Sequence, residues 1–125
     1  MKKFIATLSL VLFGSASFAH EMTPTYFEVK PSIYNKVYGT ELVLFNRRQD
    51  VSYYELKVYD AEWNELPFSA PEKIMKMKYT GKKRLYVFVR EKDTDKLTYI
   101  CTESKLVKGT VGSTGIMSRI CSKIK

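Results

Sequence analysis

Histidine is nearly absent from this chain. His20 is the only one among 125 residues, so the sequence offers no Ser/His or Cys/His pair of the kind that activates a nucleophile. No glycine-rich phosphate-binding loop follows a predicted strand. Four acidic residues fall in predicted turns, where solvated charge is the usual explanation: Glu62, Glu65, Asp93 and Asp95. The sequence therefore predicts a protein that is not an enzyme and that needs no cofactor.

Cysteine is also scarce. Cys101 and Cys121 are the only two, and they lack the C-x-x-C spacing that is typical of redox and metal sites. A single pair leaves one possible connectivity. The sequence predicts a disulfide between them, which requires an oxidising compartment.

Long apolar runs are missing except near the start of the chain. Lys2 and Lys3 precede a short apolar run at residues 4–13, and small residues flank Phe18. This layout is typical of a cleavable secretory signal peptide, and the run is too short to span a bilayer comfortably. We therefore predict a signal peptide at residues 1–19, a periplasmic location, and one domain at residues 20–125. Removing the two lysines lowers the net charge from +8 to +6.

The rest of the chain lacks any convincing amphipathic helix and instead alternates in the manner of strands. Apolar residues recur at every second position in two segments: Tyr54, Leu56 and Val58 in the first, and Leu85, Val87 and Val89 in the second. Turn residues separate about seven such segments, and Pro31 indicates an edge strand or a switch between sheets. We predict an all-β, immunoglobulin-like β-sandwich of about seven strands in a single domain.

The last two strands are predicted to pair with Cys101 opposite Cys121. This register also places Glu103 opposite Arg119, which is an attractive cross-strand pair. The two cysteines, Glu103, Arg119 and Lys123 then share the more polar face. The opposite face is apolar and carries six residues: Ile100, Thr102, Leu106, Ile116, Ile120 and Ile124. The disulfide would stabilise the fold by about 3 kcal/mol through closure of a loop of about 20 residues.

The isoleucines of the last strand have two possible roles. In a closed sandwich, Ile116, Ile120 and Ile124 are core residues. On an edge strand, they would instead be offered to another protein by β-strand addition. The sequence alone favours the core role.

The order and spacing of these segments resemble a known family. "GIMSRICSKIK" and "KLTYICTESK" resemble the last two strands of the first domain in periplasmic pilus chaperones of the PapD-like class. "ELVLFNRRQDVSYYELKVYDAEWNE" resembles that domain's second and third strands, and "MTPTYFEVKPS" resembles its first. The resemblance covers nearly all of residues 23–125, although no single motif is specific.

The resemblance implies a function in which the chaperone lends its last strand to an incomplete assembly subunit. The inserted residues would be Ile116, Ser118 and Ile120, with Ile124 further along. Lys125 would anchor the subunit's terminal carboxylate. Three departures stand out: Tyr26 occupies the place of the family's anchoring arginine, the second domain is missing, and the disulfide is not typical.

We therefore predict an exported module that caps a protein subunit of a surface assembly by strand addition. One alternative is a structural or adhesive component of the envelope. Another is a small copper-binding protein that uses the amine and imidazole of His20, with Met22 as a weak ligand.

A group of basic residues at positions 73–84 is interleaved with Met75, Met77 and Tyr79. Export makes a nucleic-acid partner a poor expectation for this group. An anionic membrane surface or an acidic protein remains open. A solvated edge that prevents aggregation is favoured.

Overall fold

The computed structural model describes residues 20–105 and 117–125. Within these ranges the chain forms nine strands and one short 3₁₀ turn at Glu91–Asp93. The strands are β1 (Glu21–Thr23), β2 (Tyr26–Phe27), β3 (Lys30–Pro31), β4 (Val37–Phe45), β5 (Tyr53–Tyr59), β6 (Ile74–Lys76), β7 (Lys82–Arg90), β8 (Tyr99–Lys105) and β9 (Arg119–Ile124). The all-β prediction is confirmed. The count exceeds seven partly because the first predicted strand is broken into three short pieces, β1, β2 and β3. The predicted signal peptide at residues 1–19 lies outside the described residues.

The first sheet is built around β4 and β7, which pair antiparallel over nine positions from Val37↔Arg90 to Phe45↔Lys82. On its other side, β4 pairs with β1 and β3. We call this sheet A. Pro31 lies in β3 at the outer edge of sheet A, where a missing backbone N–H is tolerated.

The second sheet, sheet B, has the order β2-β9-β8-β5-β6. All of its pairings are antiparallel except the one between β2 and β9, which is parallel. Strands β1, β4 and β7 in one sheet, and β5, β8 and β9 in the other, reproduce the strand division of an immunoglobulin-like sandwich. The predicted fold class is confirmed.

The chain changes sheets twice near its described start. It leaves sheet A after β1, passes through a cis peptide bond between Thr23 and Pro24, and joins sheet B as β2. It then returns to sheet A as β3. This crossing brings the start of the described chain against the last strand, which positions the candidate site.

The core lies between the sheets and is filled from alternate positions of the long strands. These positions are buried as predicted: Tyr54, Leu56 and Val58 on β5, and Leu85, Val87 and Val89 on β7. Leu42 and Leu44 of β4 face them from the same core. Each such side chain contributes about 1.5–3 kcal/mol when fully buried. The sandwich is therefore held mainly by alternation in its long strands.

Candidate functional site

The last strand is fastened to its neighbour in the predicted register. Cys101 lies opposite Cys121, and Glu103 lies opposite Arg119. The two cysteines form a disulfide, and the Arg119 guanidinium lies 3.8 Å from the Glu103 carboxylate. The predicted disulfide and the predicted ion pair are both confirmed. A disulfide is compatible with an oxidising, exported location.

The outer edge of β9 is only partly covered. The backbone of Ser118 accepts from Ser104, and that of Ile124 donates to Thr98. Even-numbered residues of β9 thus bond to β8, while odd-numbered residues point their N–H and C=O groups away from it. The N–H groups of Lys123 and Lys125 donate to the carbonyl oxygens of Thr25 and Phe27. Within the described residues, no strand pairs with Arg119–Ser122 on this outer side.

The predicted partner-binding residues fall in different surroundings. Ile120 and Ile124 are half-buried and pack against the core. Ser118 is half-buried, and its backbone N–H donates to the Ser104 hydroxyl at 2.8 Å. Lys125 is exposed, with its Nζ 3.3 Å from Glu28 Oε1. The prediction for Ile116, and that for Leu106, concern positions outside the described residues.

Tyr26, which stands where the chaperone family has its arginine, lies beside Lys123 in the β2–β9 pairing. Its side chain is exposed. Tyr26 and Lys125 line a shared groove of about 590 Å³ together with Glu28 and Lys30. The acidic Glu28 is thus the group paired with Lys125 in the described structure.

His20, which the copper alternative would use as a metal ligand, is buried. Its side chain is 1% exposed. A neutral ring with its proton on Nε2 donates to the Thr102 carbonyl oxygen at 3.0 Å and accepts at Nδ1 from the Ser118 hydroxyl at 3.2 Å. This tautomer is the one that satisfies both contacts. Local sequence could not reveal the burial, because the partners lie more than 80 positions away.

Burial lowers the pKa of His20 to about 4, because the charged ring would lose its hydration. The hydrogen bond to the Thr102 backbone opposes this shift, and the positive charge of Arg48 adds a smaller effect in the same direction as burial. Both ring nitrogens are committed to protein partners. Among residues 20–105 and 117–125, no group of three or more His, Cys, Asp or Glu side chains could hold a metal ion. In this state the His20 imidazole has no free nitrogen for the metal ion of the copper alternative.

A polar network that the sequence did not predict surrounds His20. Arg48 is buried and forms a two-pronged contact with Asp50, at 2.9 and 2.6 Å. Its Nη1 also lies 3.4 Å from the Ser104 hydroxyl. The ring of Tyr54 lies 4.5 Å from that of His20. The network thereby joins the β4–β5 connection to the start of β9.

Tyr54 also anchors the end of β4 through Asn46. Its hydroxyl donates to Asn46 Oδ1 at 2.5 Å, while Asn46 Nδ2 donates to the Val51 carbonyl at 2.9 Å. Burial raises the pKa of Tyr54 to about 12. The hydroxyl therefore stays protonated and keeps donating at any physiological pH.

An aromatic cluster covers the outer face of sheet B. Trp63 is stacked on Tyr99 with ring centroids 4.1 Å apart, and the Arg119 guanidinium lies 4.8 Å from the Trp63 ring centroid. Trp63 has a backbone φ of 65°, and the Asp60 carboxylate braces the turn by accepting from the N–H groups of residues 62 and 64. The turn was predicted from the sequence, but the direction of the Trp63 indole was not.

Two of the surface expectations need correction. Asp93 is buried rather than solvated, and its carboxylate accepts from Arg90 Nε at 2.8 Å. Met75 and Met77 are also buried in the core, so they do not form a surface with the neighbouring lysines. The basic residues themselves lie outside: Lys73 stands over the Phe68 ring at 4.5 Å, and Lys83 pairs with Glu72.

Comparisons with known proteins add no relative. A scan against protein-family models finds no match to the chain, and a search of curated proteins finds none either. In the part of the chain that the structure describes, no helix has the length and apolar character needed to cross a membrane. The chaperone resemblance therefore stays a prediction from the sequence.

Proposed function

We propose that this protein is an exported binding module that holds a protein partner by β-strand addition along the outer edge of β9. The observation that carries this proposal is the outer side of Arg119–Ser122, which pairs with no strand in the described residues and which includes the half-buried Ile120. The resemblance to periplasmic pilus chaperones agrees with it. That resemblance suggests a subunit of a surface assembly as the partner and the periplasm as the location.

The edge offers what strand addition requires. Arg119 and Cys121 point backbone donors and acceptors away from β8, and an added strand gains affinity by bonding to them. Ile120 provides an apolar contact on the inner face. The disulfide and the contacts of Ser118 fix β9 in place before any partner arrives, which lowers the ordering cost of binding.

The decisive test removes one outward backbone donor and leaves the pairing with β8 intact. Arg119→Pro deletes the N–H at an outward position, where the fold itself tolerates proline. Arg119→Ala is the matched control, because it removes the same side chain but keeps the N–H. Each tagged variant would be expressed in the cells of origin, and the proteins that co-purify would be quantified by mass spectrometry.

We expect the wild type to retain one stoichiometric β-rich subunit. Arg119→Ala should retain a smaller amount of it, because one cation is lost, and Arg119→Pro should lose it. The far-ultraviolet circular dichroism of all three should agree, since their fold is shared. Retention of the same subunit by Arg119→Pro would reject strand addition at this edge. Recovery of only further copies of the protein would favour the structural alternative.

A further inference from the structure

We propose that the partner strand carries acidic side chains on the face that points away from the core, and an apolar side chain opposite Ile120. This inference rests on the proposed strand addition and specifies which strand the edge accepts. It follows from the two faces of β9, which differ in charge and in the partners that their side chains already have.

The face of β9 that points away from the core is basic. Arg119, Cys121 and Lys123 share this face because strand side chains alternate. Lys123 makes no ion pair with any residue in the described ranges. Arg119 shares the single carboxylate of Glu103 with Lys57, whose Nζ lies 3.4 Å from that group. The face therefore has more positive than negative charge next to the open edge.

Cys121 marks the position where an acid would gain most. It lies between Arg119 and Lys123 on the same face, so a residue opposite Cys121 is diagonal to both cations. Diagonal cross-strand neighbours lie about 7–8 Å apart, within reach of long side chains. An aspartate or glutamate there would interact with two positive charges at once.

The inward face accepts a different residue. Ser118 is engaged by His20 and Ser104, and the Ser122 hydroxyl donates to the Pro24 carbonyl at 2.6 Å. Ile120 is thus the inward side chain without a polar task, and it reaches the core while remaining partly exposed. An apolar residue opposite Ile120 would extend the core outward.

The available length of edge is short. β2 already pairs with Lys123 and Ile124, so an added strand must end before Lys123. Four residues of edge correspond to about 13 Å of strand. The partner segment therefore needs only an alternating apolar–acidic pattern of about that length.

A second copy of this protein is a poor occupant of the same edge. Edge-to-edge pairing of two β9 strands would bring the Arg119 and Lys123 side chains of one copy close to those of the other. Like charges on neighbouring strands are destabilising. Charge complementarity thus favours an acidic strand over self-association.

Synthetic peptides provide the probe. One seven-residue peptide alternates valine with aspartate, a second replaces every aspartate with lysine, and a third scrambles the first. Binding would be measured by NMR titration, with hydrogen exchange of the Arg119 and Cys121 amides reporting where each peptide binds. We expect the aspartate peptide to bind about tenfold more tightly than the lysine peptide and to protect both amides.

Charge reversal supplies the control. Lys123→Glu should remove most of the preference for aspartate, whereas Lys92→Glu should leave it unchanged, because Lys92 lies in the 3₁₀ turn outside sheet B. The preference should also weaken at high salt, since exposed charges are screened.

The outcomes separate this inference from the proposed function. Equal binding of the aspartate and lysine peptides, with both amides protected, would overturn the acidic pattern and leave strand addition standing. Protection by none of the peptides would overturn the acidic pattern, and the comparison of Arg119→Pro with Arg119→Ala would then decide whether strand addition stands. Protection of the two amides without peptide, in a protein that sediments as a dimer, would assign the edge to a second copy.

Discussion

Sheet B has two edges, and they are built in opposite ways. On one side, β6 is three residues long, carries exposed Lys76, and follows a segment interrupted by Pro67 and Pro71. Short length, lysine and proline are the features that deter pairing with other strands. On the other side, the edge at Arg119–Ser122 has no proline, and within the described residues no strand pairs with its outer side, although β1 lies close to β9.

The difference shows two ways to keep an edge strand in place. β6 is held by its backbone bonds to β5 and by Met75, which is buried in the core. The start of β9 is held by β8 and by side chains: the disulfide, the contacts of Ser118 with His20, and the Arg119 guanidinium on Trp63. A strand fixed by its side chains keeps its outer backbone groups free for a partner.

Removing the disulfide should have the largest effect on stability, because it is one of the groups that hold β9 in place. The double substitution Cys101→Ala and Cys121→Ala is expected to lower the free energy of unfolding by about 3 kcal/mol, because the cross-link no longer restricts the unfolded chain. Urea titration would measure the loss. A reductant should destabilise the wild type by a similar amount and leave the double variant unchanged; a loss below about 1 kcal/mol would show that β9 does not depend on the cross-link.

Low pH should destabilise the packing of the same strand, because it protonates His20. Its pKa is about 4 in the folded state, against an ordinary value of 6.5. The unfolded chain therefore binds a proton first, so the stability due to neutral His20 is complete above pH 6.5 and is lost as the pH falls towards 4. We expect this group to contribute a loss of about 2–3 kcal/mol over that range.

The control for His20 is His20→Gln, which retains an amide donor but does not titrate. Urea titrations at several pH values should give a shallower pH dependence for this variant than for the wild type. Identical slopes would mean that protonation of His20 does not control the stability of the sandwich.

The smallest effect on stability is expected at the β6 edge. Lys76→Val removes a charge from an exposed position and should change the free energy of unfolding by less than about 0.5 kcal/mol. It should nevertheless promote self-association, measurable by sedimentation, because the edge loses its deterrent. Lys92→Val is the matched control outside the sheet. A variant that stays monomeric would indicate that short length alone protects β6.

The long strands and the β8–β9 register could be predicted from sequence because local rules determine them. Alternation identified the buried positions of β5 and β7. The disulfide, the Glu103–Arg119 pair and the apolar face all required the same register, so one solution satisfied three independent constraints. The groups that set this register are near each other in sequence or are limited to one possible partner.

The surroundings of His20 could not be predicted in the same way. Its contacts with Thr102 and Ser118 depend on how β1 and β2 divide between the two sheets, and strands of two or three residues leave no periodic pattern. The burial of Arg48 was missed for a related reason, since an arginine in a polar segment normally remains in water. Trp63 shows the same limit: its turn was readable, but its stacking on Tyr99 depends on a strand more than thirty positions away.

The position of His20 also has a consequence for the order of folding. The ring forms hydrogen bonds with residues 82 and 98 positions later in the chain, and β2 pairs with the last strand. A chain that emerges from its amino end cannot complete this pocket until β9 has arrived. Such late, long-range closure slows folding. His20 therefore becomes a marker of completion, because its ring lacks these partners until the last strand is in place.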